Sequence, residues 1–385
     1  MTSLRIAWFC GLPREVQQSA FASWELGAFH NWSWIVGHLP PPAGIELHVV
    51  CPSRHIREFL HAQYRGAHFH LMPVLRGGVY TFYSDWIRRY RQFARELDPD
   101  CIHGWGVESG FGISAVKASR RHIVGIQGLL SQCLPYSDKD KRRVGFWLGV
   151  LNERRTLREA GLIVAESEYS KRATSLYSKA CITVVPQPLR DVFVSTRPGH
   201  RDQKTVVFVG AHIKRKGFID ALRAFSMLGQ DDWTLICIGS MSPANRKLAL
   251  ELVNNLGISR QVQLLGPRPA EDIVRYLKHS PVFLLPSYID TGPNALKEAL
   301  AMGVWPVCYD NSGPKEFVSK YRFGSLSKTG DINALAASLR DALTTQPWRD
   351  STRALECADA IRRDLDRERI WEQLTKLYRE RSAAG

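Results

Sequence analysis

No apolar run in the 385 residues approaches the roughly 20 that a membrane-spanning helix needs. The opening MTSLRIAWFCGLP has one Arg and a very short apolar run before turn residues, so it reads as a strand rather than a signal peptide. A cytoplasmic protein is expected, with peripheral attachment at the inner face of the membrane left open. Cysteine is sparse and unpatterned: eight residues, with no C-x-x-C pair and no His/Cys spacing of a zinc site. Cys10, Cys51, Cys237 and Cys308 fall within or at the ends of apolar runs, and all eight are expected to be buried, reduced thiols. After the first strand, CGLPREVQ lacks the G-x-G-x-x-G of a dinucleotide oxidoreductase. There is no helix-turn-helix, zinc or RNA-recognition signature, which argues against a nucleic-acid binder, and no D-x-D-like metal motif stands out in the segments expected to face the cleft. No metal and no tightly bound cofactor are expected.

Acidic residues are also in deficit, 37 against 52 basic ones, for a formal charge of +15. Such a balance favours anionic partners: nucleotide phosphates, anionic lipid headgroups or nucleic acid. The basic residues recur in RRYRQFAR (88–95), KDKRR (139–143) and NERRTLRE (152–159), each of which also reads as a solvated helix face. The segment SDKDKRRVGFWLGVLNERRTLRE adds Phe146, Trp147 and Leu148 to its basic residues. It suits an anionic membrane surface, or an ordinary helix burying those apolar groups.

A hydrophobic fraction of 44% over this length is ordinary for a soluble globular chain and predicts about two domains. Short apolar runs alternate with helical-period segments, the pattern of parallel sheets covered by helices. The fold class is α/β, two Rossmann-like doubly wound parallel sheets facing a cleft, with ligands at the carboxyl ends of the strands. The expected boundaries are a first domain over 1–187, a linker over 188–204 and a second domain over 205–360. A charged amphipathic helix over 361–385 ends the chain and is free to return to the first domain.

The stretch SYIDTGPNALKEALAMG (287–303) carries the chemistry. A strand ends at Pro286–Ser287, Gly292–Pro293 opens a helix running from Asn294 to Ala301, and Gly303 stops it. The helix start offers amides to an anion, best a phosphate. Asp290 precedes it, and Glu298 lies about 7.5 Å further along the axis. The order predicts sugar hydroxyls at Asp290, a diphosphate at the helix start and a ribose at Glu298. The plain alternatives are that Asp290 or Thr291 caps the helix and that Glu298 is a surface residue.

This segment resembles the E-x7-E signature of the family-4 retaining glycosyltransferases of GT-B architecture, the glycogen-synthase-like and lipopolysaccharide-type group. Asp290 stands in place of the first Glu. FVGAHIKRKGFIDALRAF, GPRPAEDIVRYLKHSPVFLLPS and GVWPVCYDNSGPKEFV are similar to neighbouring segments of that family. So, in the first half, are LDPDCIHGWG, AGLIVAESEYSKR and ITVVPQPL. The resemblance implies a hexosyl-type transferase that moves a sugar from a UDP- or GDP-linked donor to a glycan, lipid-linked or lipopolysaccharide-type acceptor with retained configuration. It implies ribose binding by Glu298 and diphosphate binding by Lys216. It places Asp290, Thr291, Gly292, Pro293 and Asn294 around the donor sugar and phosphate, and Gly210 at the end of the strand before Lys216. It puts Gly11 at the start of a phosphate and acceptor loop, and Gly266 to Arg268 beside the nucleobase.

Two further departures stand out. The family's usual arginine after the glycine is Ala211 here, leaving His212, Lys214 or Arg215 to substitute, and a histidine common in the first domain is Gln127. Gln orients a hydroxyl but does not titrate near neutrality. His103, at another strand end, either touches ligand or has a structural role. Ala211 and Gln127 together keep open a catalytically weak sugar-nucleotide-binding homologue. The net charge keeps open a sugar transferase acting on nucleic acid.

Overall fold

A computed structural model describes residues 3–24, 26, 30–75, 78–136, 144–211 and 214–383, without the side chains of 30 and 31. Two compact units emerge, one of Met1–Leu134, Lys139–Arg190 and Leu365–Gly385, the other of Pro135–Asp138 and Asp191–Asp364.

The first unit is built on eight strands: β1 (Leu4–Phe9), β2 (Ile45–Ser53), β3 (Leu60–Tyr64), β4 (Ala67–Pro73), β5 (Cys101–Trp105), β6 (His122–Gly125), β7 (Leu162–Ala165) and β8 (Cys181–Val184). Their order is β3-β4-β2-β1-β5-β6-β7-β8, parallel throughout except for β3, which runs antiparallel to β4. Strand β1 shows why a central strand is apolar on both faces. Ile6, Trp8 and Cys10 enter one core and Ala7 and Phe9 the other, all fully buried.

The second unit has six parallel strands in the order β11-β10-β9-β12-β13-β14. They are β9 (Thr205–Val209), β10 (Thr234–Ile238), β11 (Val262–Gly266), β12 (Val282–Leu285), β13 (Trp305–Tyr309) and β14 (Ser325–Ser327). In each sheet the winding reverses once, beside β1 and β5 in the first unit and beside β9 and β12 in the second. Open α/β sheets present ligand sites at the carboxyl ends of the strands where this reversal occurs.

Three local expectations need correction. The linker stretch contains a helix, Asp191–Ser195, anchored by fully buried Phe193. The terminal segment is two helices, Ser351–Asp364 and Arg367–Ala383. Asp366 makes the break, since its Oδ1 accepts the amides of Glu368 and Arg369 at 3.0 and 3.1 Å, starting a new helix. That second helix packs into the first unit: Trp371 stacks on Trp8 with centroids 5.4 Å apart, and the Trp371 indole donates to the His38 carbonyl at 2.7 Å. Lastly, all eight cysteines are free, but Cys181 is exposed and Cys133 half-buried, because each sits at the rim of an element rather than in an apolar face.

Candidate functional site

The loops after β9 and β12 bring together residues 74 positions apart. A tight turn over Lys214–Lys216 leads into the helix Phe218–Ser226. Gly217 between them has φ 67, and a Cβ there would lie 1.8 Å from the Pro286 carbonyl oxygen. Only glycine permits both the left-handed backbone and so close an approach to the β12 loop. That approach delivers the Lys216 ammonium to the Asp290 carboxylate, forming an ion pair whose side chains are 17% and 10% exposed.

Arg215 is tied to the same loop. Its carbonyl accepts from the Tyr288 amide at 2.9 Å, and its Nη1 donates to the Ile289 carbonyl at 3.1 Å. Burial alone would raise the Asp290 carboxyl, but the charges of Lys216, Arg215 and Lys297 outweigh it and hold the group below its ordinary value. Asp290 is therefore an anion fixed among cations.

The helix Asn294–Ala301 follows this loop, with no side-chain cap at its start. Asp290 is thus not a cap. Pro293 is the flanking residue rather than the first helical one, and its carbonyl accepts the amides of Leu296 and Lys297 at 3.0 and 3.1 Å. Thr291, Gly292 and Pro293, which lead into the helix, are buried. Glu298 is only 6% exposed and so is not a surface glutamate.

A second helix, Ser312–Tyr321, starts against the same loop. The Asp290 amide donates to the Ser312 hydroxyl at 3.0 Å, and the Gly313 amide to the Asp290 carbonyl at 2.8 Å. A Cβ at Gly313 would meet the Asp290 and Thr291 carbonyls at 2.8 and 2.9 Å. Ser312 itself has φ 41, a left-handed backbone unusual for Ser. This support was missed in the sequence, although N-S-G-P straight after a strand is a turn signal. Beneath the loop, the hydroxyls of Tyr288 and Tyr309 both donate to Asp220 on the 218–226 helix, at 2.6 and 2.8 Å.

Gly210 ends β9 within contact of the Lys216 stem, and its carbonyl lies 1.8 Å from where a Cβ on Gly239 would fall. Gly266 has φ 73 at the end of β11, and Arg268 two residues on is exposed. His212 lies outside the described residues.

In the first unit, two of the sequence-marked residues have packing roles. His103 is fully buried in mid-β5, with Nδ1 2.9 Å from the Tyr378 hydroxyl and its ring stacked on Trp105, so it is a core residue and not a ligand contact. Gly11 does follow β1, but the Trp32 indole lies over it, 2.2 Å from a Cβ built there. That ring accounts for the glycine by packing alone. Gln127 is half-buried, two residues beyond the end of β6.

One group here had no signal in the sequence. Glu108, just past the end of β5, is pushed up to about 7, chiefly by burial and further by the charge of Glu153. Its Oε2 has no hydrogen-bond partner among the described residues. Along the helix Val144–Glu159, Trp147 is exposed with Val144 and Leu151, while Phe146 and Leu148 are half-buried. The basic run 139–143 lies outside the described residues.

Two family models match side by side, without overlap: Glycosyltransferase Family 4 over residues 36–190 and Glycosyl transferases group 1 over residues 195–356. The chain belongs to the family-4 glycosyltransferases. Among relatives of this glycosyltransferase is a putative teichuronic acid biosynthesis glycosyltransferase, TuaC, of Bacillus subtilis. It is 23% identical over 350 residues, 80% of this chain and 82% of that one. The amylovoran biosynthesis glycosyltransferase AmsK of Erwinia amylovora is 33% identical over 144 residues, 35% of this chain. That match spans only about a third (34%) of AmsK's length.

Its fold is GT-B. Sucrose-phosphate synthase from Thermosynechococcus elongatus superposes with a TM-score of 0.82 at 16% identity, covering 99% of this chain and 100% of that one. WaaG, a glycosyltransferase involved in lipopolysaccharide biosynthesis, gives 0.70 at 14% identity over 97% and 99%. Anabaena HepE in complex with UDP and glucose gives 0.70 at 15% identity over 97% and 98%.

Proposed function

We propose that this glycosyltransferase takes a hexosyl group from a UDP- or GDP-linked donor and adds it, with retained configuration, to a growing polysaccharide or lipid-linked glycan. The observation that carries the reading is the joining of Lys216 and Asp290 by two loops at the reversal of the second sheet. A donor diphosphate lies against Lys216 and the start of the 294–301 helix, where the ammonium and the helix dipole stabilise the charge that builds on the departing phosphate. Asp290 holds donor-sugar hydroxyls, and Glu298 holds the ribose. Arg215, fastened to Ile289 and acting on Asp290, supplies the second cation that Ala211 does not. HepE, similar in fold, was crystallised with UDP and glucose, which supports a nucleotide-sugar donor. TuaC and AmsK are named for teichuronic acid and amylovoran biosynthesis, which supports a glycan acceptor.

The first unit takes the acceptor, whose hydroxyl attacks from the face the phosphate leaves. Same-face attack needs no enzyme nucleophile, and the leaving phosphate receives the acceptor's proton, so no enzyme base is required. Val144, Trp147 and Leu151, exposed on one face of the 144–159 helix, suit contact with an anionic membrane bearing a lipid-linked acceptor. Among the described residues, no helix is long and apolar enough to cross that membrane. The test is release of free UDP or GDP from a panel of nucleotide-sugars in the presence of mixed glycan acceptors. Turnover by the parent chain and its loss in Lys216→Ala support the reading; no release from any donor overturns it.

A further inference from the structure

A groove of about 660 Å³ runs along the outside of the first unit, and nothing in the donor chemistry uses it. Four guanidiniums line it, Arg88, Arg91 and Arg95 from the helix Ser84–Leu97 and Arg155 from the helix Val144–Glu159, and among the described residues no carboxylate does. Arg88, Arg91 and Arg95 follow one another down a helix face, spanning about 10 Å at 1.5 Å per residue. Each of three is steadied from one side: Arg88 on Asp85 at 2.8 Å, Arg91 on the Lys117 carbonyl at 3.0 Å and Arg155 on Glu159 at 3.1 Å. A guanidinium has five N–H donors, so one such bond orients the fork while leaving donors for a ligand.

Phe82, Thr81 and Ser84 close the groove's upper end. The 84–97 helix returns the chain from the end of β4 to the start of β5, so its first turn lies at the carboxyl edge of the sheet. There Tyr83 packs on Gly110, two residues beyond Glu108. The groove therefore leads away from the end of the unit where an acceptor hydroxyl would be held.

We propose that this groove binds the already-built part of the acceptor, an acidic glycan carrying carboxylates along its length. The proposal rests on the transferase reading above. Forked guanidiniums match planar carboxylates in pairs, whereas a hydrated surface of point charges is better met by lysine, and among the described residues no lysine lines the groove. A bilayer presents a plane and does not enter a concave track. Hydroxyls of Thr81 and Ser84, the Gln92 amide and the Phe82 ring are the further groups a sugar chain needs.

The experiment measures binding of fluorescent tetragalacturonate, a neutral malto-oligosaccharide of equal length, phosphatidylglycerol vesicles and a short oligonucleotide to the full chain. Each is repeated with Arg91→Gln/Arg95→Gln. Both arginines are exposed, so the variant is expected to keep the parent melting temperature and nucleotide-sugar binding. The expected result is uronate binding that weakens steeply with salt and falls at least tenfold in the variant, with no binding of the neutral glycan. Equal binding of the neutral glycan, or uronate binding unchanged in the variant, overturns the proposal. So does a variant that loses vesicles or oligonucleotide while the parent ignores the uronate. Failure of the parent to bind any nucleotide-sugar strikes the transferase reading instead and leaves the groove result standing.

Discussion

Replacing Lys216 with Met keeps most of the unbranched side-chain stem and removes the ammonium that meets Asp290. The pair is largely withdrawn from water, at 17% and 10% exposure, so the substitution strands a carboxylate. Removing one partner of a buried pair costs about 3 to 5 kcal/mol. Arg215 and Lys297 also lower the Asp290 carboxyl, so the loss should fall near the bottom of that range, ~3 kcal/mol. Adding Asp290→Asn removes the stranded charge and should restore most of the deficit.

The pH dependence follows from linkage. A carboxyl whose folded value lies below its ordinary 3.8 contributes stability above that value and loses it as pH falls through the folded one. Without Lys216 the carboxyl rises, so the variant's deficit should shrink as the pH approaches 4. Urea unfolding of the parent, the single and the double variant at pH 7 and near pH 4 measures this, followed by two probes because the chain has two units. Equal losses in the single and double variants, or a loss below about 0.5 kcal/mol in the single one, would show that the two groups are not a coupled buried pair.

Other outcomes follow. Glu298→Ala should raise the donor KM about tenfold with little change in kcat, since a ribose contact is made alike in ground and transition states; steady-state kinetics at saturating acceptor checks it. Glu108, raised from 4.5 to about 7, binds its proton more tightly when folded, so stability should fall as pH rises across that interval. Glu108→Gln should flatten that slope in unfolding experiments. Trp371→Ala should cost about 3 to 5 kcal/mol in unfolding of the first unit, because the indole stacks on Trp8 and donates to His38; loss of less than 1 kcal/mol would show the terminal helix to be peripheral.

Buried parallel strands announce themselves, which is why RIAWFC, VFLLP and WPVCYD were legible as runs of apolar residues. Strand β3, LHAQY, was not, because an edge strand with alternating exposure carries no continuous apolar signal. The E-x7-E-like spacing located the Asp290 loop, but its true partners depend on chain reversal. That Lys216 meets Asp290, and that Ser312 and Gly313 brace the same loop, comes from strand order, which local pattern does not encode. His103 was ambiguous because a strand-end histidine looks available until the terminal helix brings Tyr378 to it. Glu108 was invisible for the opposite reason: an acid in a loop reads as solvated, and it is raised by burial first and by the charge of Glu153 second, neither visible in local pattern.

The central claim is that the Lys216–Asp290 loop pair holds the diphosphate of a nucleotide-sugar. Thermal unfolding of the parent chain against a panel of UDP- and GDP-sugars tests it most directly, since a ligand bound only by the folded chain raises the melting temperature. At least one donor should raise it, Lys216→Met should abolish most of that rise and Glu298→Ala should clearly reduce it. A panel that leaves the parent's melting temperature unmoved, or a rise that both variants retain in full, would contradict the account.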